Sequence, residues 1–322
     1  MQIRTRARLE ILVVALLFST GGAAIKAAQF SSWQVAGLRS GIAALAVWLL
    51  LPSARQFSRK ALGVTLLVAI AYAATLTLFV LANKLTTAAN TIFLQDTAPL
   101  YILLLGPLLL HERIARKDLS FMAAVAGGMV LFFVGRQQTF VTAPDPVRGN
   151  IFAALSGLTY ALMLMGLRWM GTRGGSPASA VALGNFLALL LALPNALPLG
   201  HHGGTDWAVI IYLGVFQIGP AYALLTKAIP HVPALETSLL LFLEPALNPL
   251  FAWGIHGEYP GPWALLGGVV IVGATVFKAW ADSRPTPAGD SAENLSAPAD
   301  GRPPMADGGR RMADDVRPTA NG

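Results

Sequence analysis

Apolar runs long enough to cross a lipid bilayer follow one another along this chain from residue 9 to residue 280, with only short polar links between them. A hydrocarbon core about 30 Å thick needs roughly 20 apolar residues of helix. The runs at 9–28, 33–51, 61–81, 87–110, 119–135, 150–170, 177–199, 207–226, 235–257 and 262–280 each come close to that length. No water is available inside the bilayer to satisfy a bare backbone, so runs of this kind are expected to be helices. The expected fold class is therefore an all-α integral membrane protein of about ten transmembrane helices. Arg4, Arg6 and Arg8 before the first run resemble the start of a signal peptide. The run is long enough to span, and equal runs follow it, so it reads as the first helix.

Composition agrees. Only 12% of the residues are charged, against about 25% in an average soluble chain. Cysteine is absent, which excludes disulfides, thiolate metal sites and cysteine nucleophiles. The net charge of +7 does not imply nucleic acid, because the basic residues sit in short clusters between apolar runs. With the N-terminus inside, those clusters (Arg4, Arg6 and Arg8; Arg55, Arg59 and Lys60; Arg113, Arg116 and Lys117) fall on one side. The other side keeps only Lys26, Lys84, Arg136 and Arg148. The positive-inside rule then predicts a multi-pass protein of a cell inner (plasma) membrane with both termini cytoplasmic. Trp33, Trp48, Trp169, Trp207, Trp263 and Trp280 lie near the ends of the runs, where an amphipathic ring prefers the interface. Residues 282–322 are rich in Pro, Gly, Ala and Asp and have no apolar period, so they are expected to form a disordered cytoplasmic tail.

The chain repeats itself. An offset of 146 residues sets Ala82 on Ala228, Ala88 on Ala234, Thr91 on Thr237, Pro99 on Pro245, Glu112 on Glu258 and Gly127 on Gly273. An offset of 142 sets Phe18 and Lys26 of the first run on Tyr160 and Arg168 of the sixth. The division is 1–148 and 149–281. Five helices per half is an odd number, so the second half must enter the membrane from the opposite side. Two inverted five-helix repeats follow, an arrangement that can expose one central site to either side in turn.

At these residues the chain resembles the EamA repeats of the drug/metabolite transporter superfamily. The resemblance rests on Phe18-Ser-Thr-Gly…Ile25-Lys26 in the first run and Arg39 in the second. It rests also on the Pro99…Glu112 and Pro245…Glu258 stretches and on Gly127, Gly128, Gly267, Gly268 and Gly273. It covers residues 9 to 281. The second half departs from the pattern where Pro260 and Pro262 follow Glu258. The resemblance implies a secondary active transporter of small organic solutes (amino acids, related metabolites or drugs), with export favoured, working by alternating access through a central cavity. A small-molecule substrate and the lipid bilayer are then the partners, and proton coupling is open. An intramembrane enzyme or lipid-handling protein, or a channel, are the alternatives.

Ionisable groups inside a membrane helix are costly and are candidates for function. Asp96 and Glu244 are the acids well inside the runs, near equivalent positions of the two halves. Pro99 and Pro245 beside them free the carbonyls of Gln95 and Leu241. Each acid either serves a polar pocket or pairs with a neighbouring helix. Gln95, Asn90, Gln217 and Asn248 offer amides to a solute or to a facing helix. Ser19 and Thr20, beside Gly21-Gly22, allow either solute contact or close helix approach. The resemblance puts Tyr72, Thr75, Phe79, Tyr160 and Tyr222 on helices around the cavity. Arg39, inside the second run, either pairs with an acid or snorkels outward, and a structural partner role is the preferred reading. His201 and His202 lack ligand spacing to His231 or His256, and no phosphate-binding loop is present, so neither metal, cofactor nor catalytic group is expected.

Overall fold

Ten helical passages run through the computed structural model, which describes residues 3–57, 61–109, 116–131, 134, 141–241, 243–259 and 261–283. The first half contains α1 (Ile3–Ser19), α2 (Gly21–Ala27), α3 (Ser32–Leu50), α4 (Leu62–Leu85), α5 (Ala88–Gln95), α6 (Ala98–Leu109) and α7 (Arg116–Leu131). The second contains α8 (Pro146–Thr172), α9 (Pro177–Ala196), α10 (Gly204–Ile211), α11 (Gly219–Ala228), α12 (Ala234–Leu240), α13 (Leu243–His256) and α14 (Pro262–Ser283). Six spans among the described residues, at Ile3–Ala27, Ser32–Leu50, Leu62–Leu85, Pro146–Thr172, Pro177–Ala196 and Gly204–His231, are long and apolar enough to cross a membrane. The other four passages are α5 with α6, α7, α12 with α13, and α14. The first and third of these are broken, and α7 and α14 contain the shorter apolar stretches Leu119–Leu131 and Pro262–Ala274.

Local chemistry sets the starts. Ser31 and Gln34 form a reciprocal capping box at α3. Thr87, Asp145 and Ser176 cap α5, α8 and α9 by accepting from Asn90, Arg148 and Ser179 backbone N–H groups. Pro146 and Pro177 follow two of these caps in the first turn, where a missing N–H costs nothing.

Breaks matter more than starts. The sequence reads 87–110 and 235–257 as single helices, but both are interrupted. α5 ends at Gln95 and α6 begins at Ala98, just before Pro99. α12 ends at Leu240 and α13 begins at Leu243, just before Pro245. With the offset of 146 these interruptions coincide to within a residue. The eighth passage also departs from regular geometry, with a π-helical turn over Tyr212–Ile218 ahead of Pro220. Such widened turns arise where a proline removes a helix donor.

Packing carries the same two-fold relation. In the first half α4 lies against α8; in the second, α11 lies against α1. α5 and α6 also meet α8, as α13 and α12 meet α1. Helices α3 and α9, equivalent to each other, pack together. Each half thus lends its first helix to the other's third and fourth passages. Leu45, Leu49, Leu67, Leu108, Val269 and Phe277 are exposed on the outside. That apolar periphery suits lipid and would be a liability in water. Glu112 and the tail from residue 284 lie outside the described residues.

Candidate functional site

A polar void lies where the halves meet, among α1, α3, α4, α5, α8, the π turn, α11 and α13. Its free volume is about 30 Å³, room for a water or two and far less than a metabolite requires. Of the residues singled out from the sequence, Thr75, Phe79, Gln95, Tyr160, Gln217, Tyr222 and Glu244 line it. Phe18 and Arg39, which carry part of the family resemblance, line it as well.

Each wall is held in place by its own contacts. Gln95 Nε2 donates to Ser156 Oγ at 2.6 Å, and Ser156 Oγ donates to the Thr75 carbonyl at 3.2 Å. Thr75 Oγ1 donates back to the Ala71 carbonyl at 2.7 Å. This chain of bonds ties the broken fourth passage to α4 and α8. Gly157 makes the approach of α8 feasible, because a Cβ there would sit 2.9 Å from the carbonyl oxygens of both Leu94 and Gln95. The Phe18 and Tyr222 rings lie 5.1 Å apart, and Tyr72 meets Tyr222 edge-on at 4.7 Å.

The remaining sequence candidates sit elsewhere. Tyr72 is behind the lining, its hydroxyl accepting from Asn185 Nδ2 at 2.8 Å. Asp96 is buried in the break after α5, within electrostatic reach of Glu244 and Tyr160, and its Oδ2 has no hydrogen-bond partner among the described residues. Ser19 and Thr20 donate to the carbonyls of Leu16 and Leu17 at 2.7 and 2.9 Å, and Thr20 also meets the Tyr212 hydroxyl at 2.8 Å. Asn248 is fully buried against α2, where a Cβ at Gly22 would come 2.3 Å from its Oδ1.

Arg39 is the residue that sequence reasoning placed least well. Instead of pairing with an acid, its Nη2 donates to the Leu76 carbonyl at 3.0 Å, and its Nε has no partner among the described residues. Gln217 presents an amide to the same space, and its Oε1 is likewise without a partner there. The position of Arg39 at mid-helix, far from either interface, was the available signal.

Ionic contacts close both ends of the contact between the first and ninth passages. At one end Arg4 and Arg8 reach Glu236 on α12, in solvent-accessible pairs. At the other, Lys26 pairs with Glu258 in a buried contact. Lys26 also donates to the carbonyls of Thr86 and Thr142, while Glu258 accepts from the Ala88 N–H at the start of α5. The related position Arg168 donates to the Val232 carbonyl, which stands at the offset of 146 from Thr86.

Two like halves of five helical passages, each packing its first helix against the other's third and fourth passages beside a small void lined by polar and aromatic side chains, define a helical membrane protein of the inverted-repeat class. The chain belongs to the EamA-like transporter family, which it matches over residues 6–134 and again over 147–279. It is similar to an uncharacterized protein of Pseudomonas aeruginosa, 31% identical over 182 residues that make up 53% of this chain and 59% of that one. It is also similar to the uncharacterized transporter YdfC of Bacillus subtilis, 26% identical over 61% of this chain and 64% of that one. The chain thus spans less than two thirds of the length of these curated relatives. A protein of known crystal structure shares the fold, with a TM-score of 0.64 at 20% identity, over 89% of this chain and all of the other.

Proposed function

We propose that this protein is a secondary active transporter of small organic solutes (amino acids, related metabolites or drugs), working by alternating access and serving export. The observation that carries this reading is the small void between the halves, where Arg39, Gln95 and Glu244 share a space within the helical bundle. Polar groups brought together at such depth are expensive unless they handle a polar solute. The halves 1–148 and 149–281 act as the units that rock against each other. The protein sits in the plasma membrane with both termini cytoplasmic, and it alters no covalent bond of its solute.

Asp96 serves as the proton site in this reading. It is buried in a helix break with one carboxylate oxygen unpartnered, close to Glu244 and Tyr160. A carboxyl so placed can exchange a proton as the surrounding passages shift.

The test is flux of labelled metabolites in vesicles carrying the purified protein, with and without a proton gradient. Saturable, protein-dependent exchange is expected. Chemical conversion of a solute would point to an enzyme, and unsaturable flux of inorganic ions to a channel; either would overturn the proposal.

A further inference from the structure

We propose that the outer groove between α4 and α8 holds an anionic phospholipid, with an acyl chain along the groove and the phosphate beside Arg173.

The groove is apolar and faces outward. Val64, Val68 and Ala71 of α4 stand across from Met165, Gly166 and Trp169 of α8, around about 370 Å³ of free space, against about 30 Å³ in the central void. The two spaces share no residue. Its floor is a tight contact, since a Cβ on Gly166 would come 2.5 Å from Val68 Cγ2. Leu67 on its rim is exposed, as are Leu62, Leu66 and Ile70 on the same helix. Hydrocarbon therefore surrounds this flank. An empty gap there would forfeit dispersion contacts that a flexible acyl chain can make.

One end of the groove is polar. Gln56 and Thr65 stand across from Gly175, Ser176 and Ser179 around a second space of about 250 Å³. Thr65 adjoins Val64 in α4, and Arg173, the residue after α8, lies one turn beyond Trp169. The polar space thus continues the groove where α8 stops and α4 begins. The first passage crosses and α3 returns, so this is the end that holds the N-terminus. In the orientation proposed above it meets the cytoplasmic leaflet.

Charge at this end is basic and unopposed. Arg173 Cζ lies 4.8 Å from the centre of the Trp169 ring, and Arg55 Cζ lies 4.4 Å from that of Trp48. Both arginines are exposed, and neither makes an ion pair among the described residues. No Asp or Glu occurs between residues 11 and 95 or between 146 and 205, the stretches that build both walls.

The order of parts selects the occupant. An apolar trough, then a tryptophan, then a guanidinium beside a polar space repeats the order of an anionic phospholipid from chain to phosphate. The guanidinium fork also matches two phosphate oxygens. A second copy of this chain docked here about a two-fold axis would bring the same basic ends together, which like charges oppose.

The test uses the full-length protein, stripped of lipid in detergent. Its unfolding midpoint is followed against phosphatidylglycerol, phosphatidylcholine with the same chains, and glycerol 3-phosphate. Phosphatidylglycerol should act at concentrations roughly tenfold or more below phosphatidylcholine. Glycerol 3-phosphate should have no effect. Equal action of the two lipids overturns the proposal, and so does equal action of glycerol 3-phosphate.

Variants locate the site. Arg173→Gln should weaken phosphatidylglycerol by roughly fivefold and leave phosphatidylcholine unchanged, with Arg173→Lys keeping most of the preference. Ala71→Phe, which fills the groove, should weaken both lipids. Binding of both lipids to these variants as to the parent overturns the assignment. If Ala71→Phe does not fold, Arg173→Gln at its exposed position decides. A dimer in lipid-free detergent that Ala71→Phe dissociates would give the groove to a second copy and overturn the proposal.

Discussion

Lys26 Nζ lies 2.8 Å from Glu258 Oε1, in an ion pair with side chains only 1% and 2% exposed. The pair joins α2 of the first half to the end of α13 of the second. Both partners are also hydrogen-bonded to the chain around them, at Thr86, Thr142 and Ala88. A buried pair of this kind contributes little over an apolar replacement, yet loss of one partner strands the other. Lys26→Met or Glu258→Gln alone should therefore cost about 3–5 kcal/mol, read as a lower unfolding midpoint in detergent. The double variant should recover a good part of the loss. Arg4→Gln or Arg8→Gln, at the accessible pairs with Glu236, should each cost under about 1 kcal/mol. Equal losses at the two ends would refute this division.

Glycine positions supply a graded test of packing. Gly157→Ala forces a methyl to 2.9 Å from two backbone carbonyls, which have little freedom to yield. Overpacking of this sort costs about 1–3 kcal/mol. Gly22→Ala meets the Asn248 side chain instead, which can shift in part. Gly63→Ala meets nothing within 4 Å, and alanine's better helix propensity should make it neutral or stabilising by up to about 1 kcal/mol. Midpoints for the three variants should fall in that order, and destabilisation at Gly63 matching that at Gly157 would count against the packing described.

Asp96→Asn keeps the size of the side chain and removes its titration. If Asp96 carries the coupled proton, the variant should still exchange labelled solute for unlabelled across vesicles. It should no longer concentrate solute when a proton gradient is imposed. Gradient-driven accumulation equal to the parent's at every pH would show that Asp96 is structural.

Membrane orientation is checked by fusion. A reporter active only in the cytoplasm should give signal when joined after Trp280, as the positive-inside rule predicts from the basic clusters. Activity of an exterior-only reporter at the same junction would reverse the assignment.

Much of the architecture was legible in the linear pattern, because the bilayer leaves the backbone so few solutions. Apolar runs of spanning length, the odd number per half and the pairing of Pro99 with Pro245 lead to inverted helical repeats without reference to any contact. The same prolines signalled the neighbourhood of the breaks before α6 and α13. What sequence could not reveal was the rotation of each helix about its own axis. Ser19 and Thr20 look like solute ligands beside a glycine pair, but their hydroxyls can also be satisfied by carbonyls a turn back, and they are. Asn248 turns towards Gly22, whereas Gln217, on a π turn that shifts the helical register, faces the void. Arg39 and Glu244 are far apart in the chain, and only packing brings them to one space while keeping them from pairing. Spacing along a helix fixes which residues share a face; the packing of neighbouring helices, which depends on small residues such as Gly157 and on breaks in the backbone, decides what that face meets.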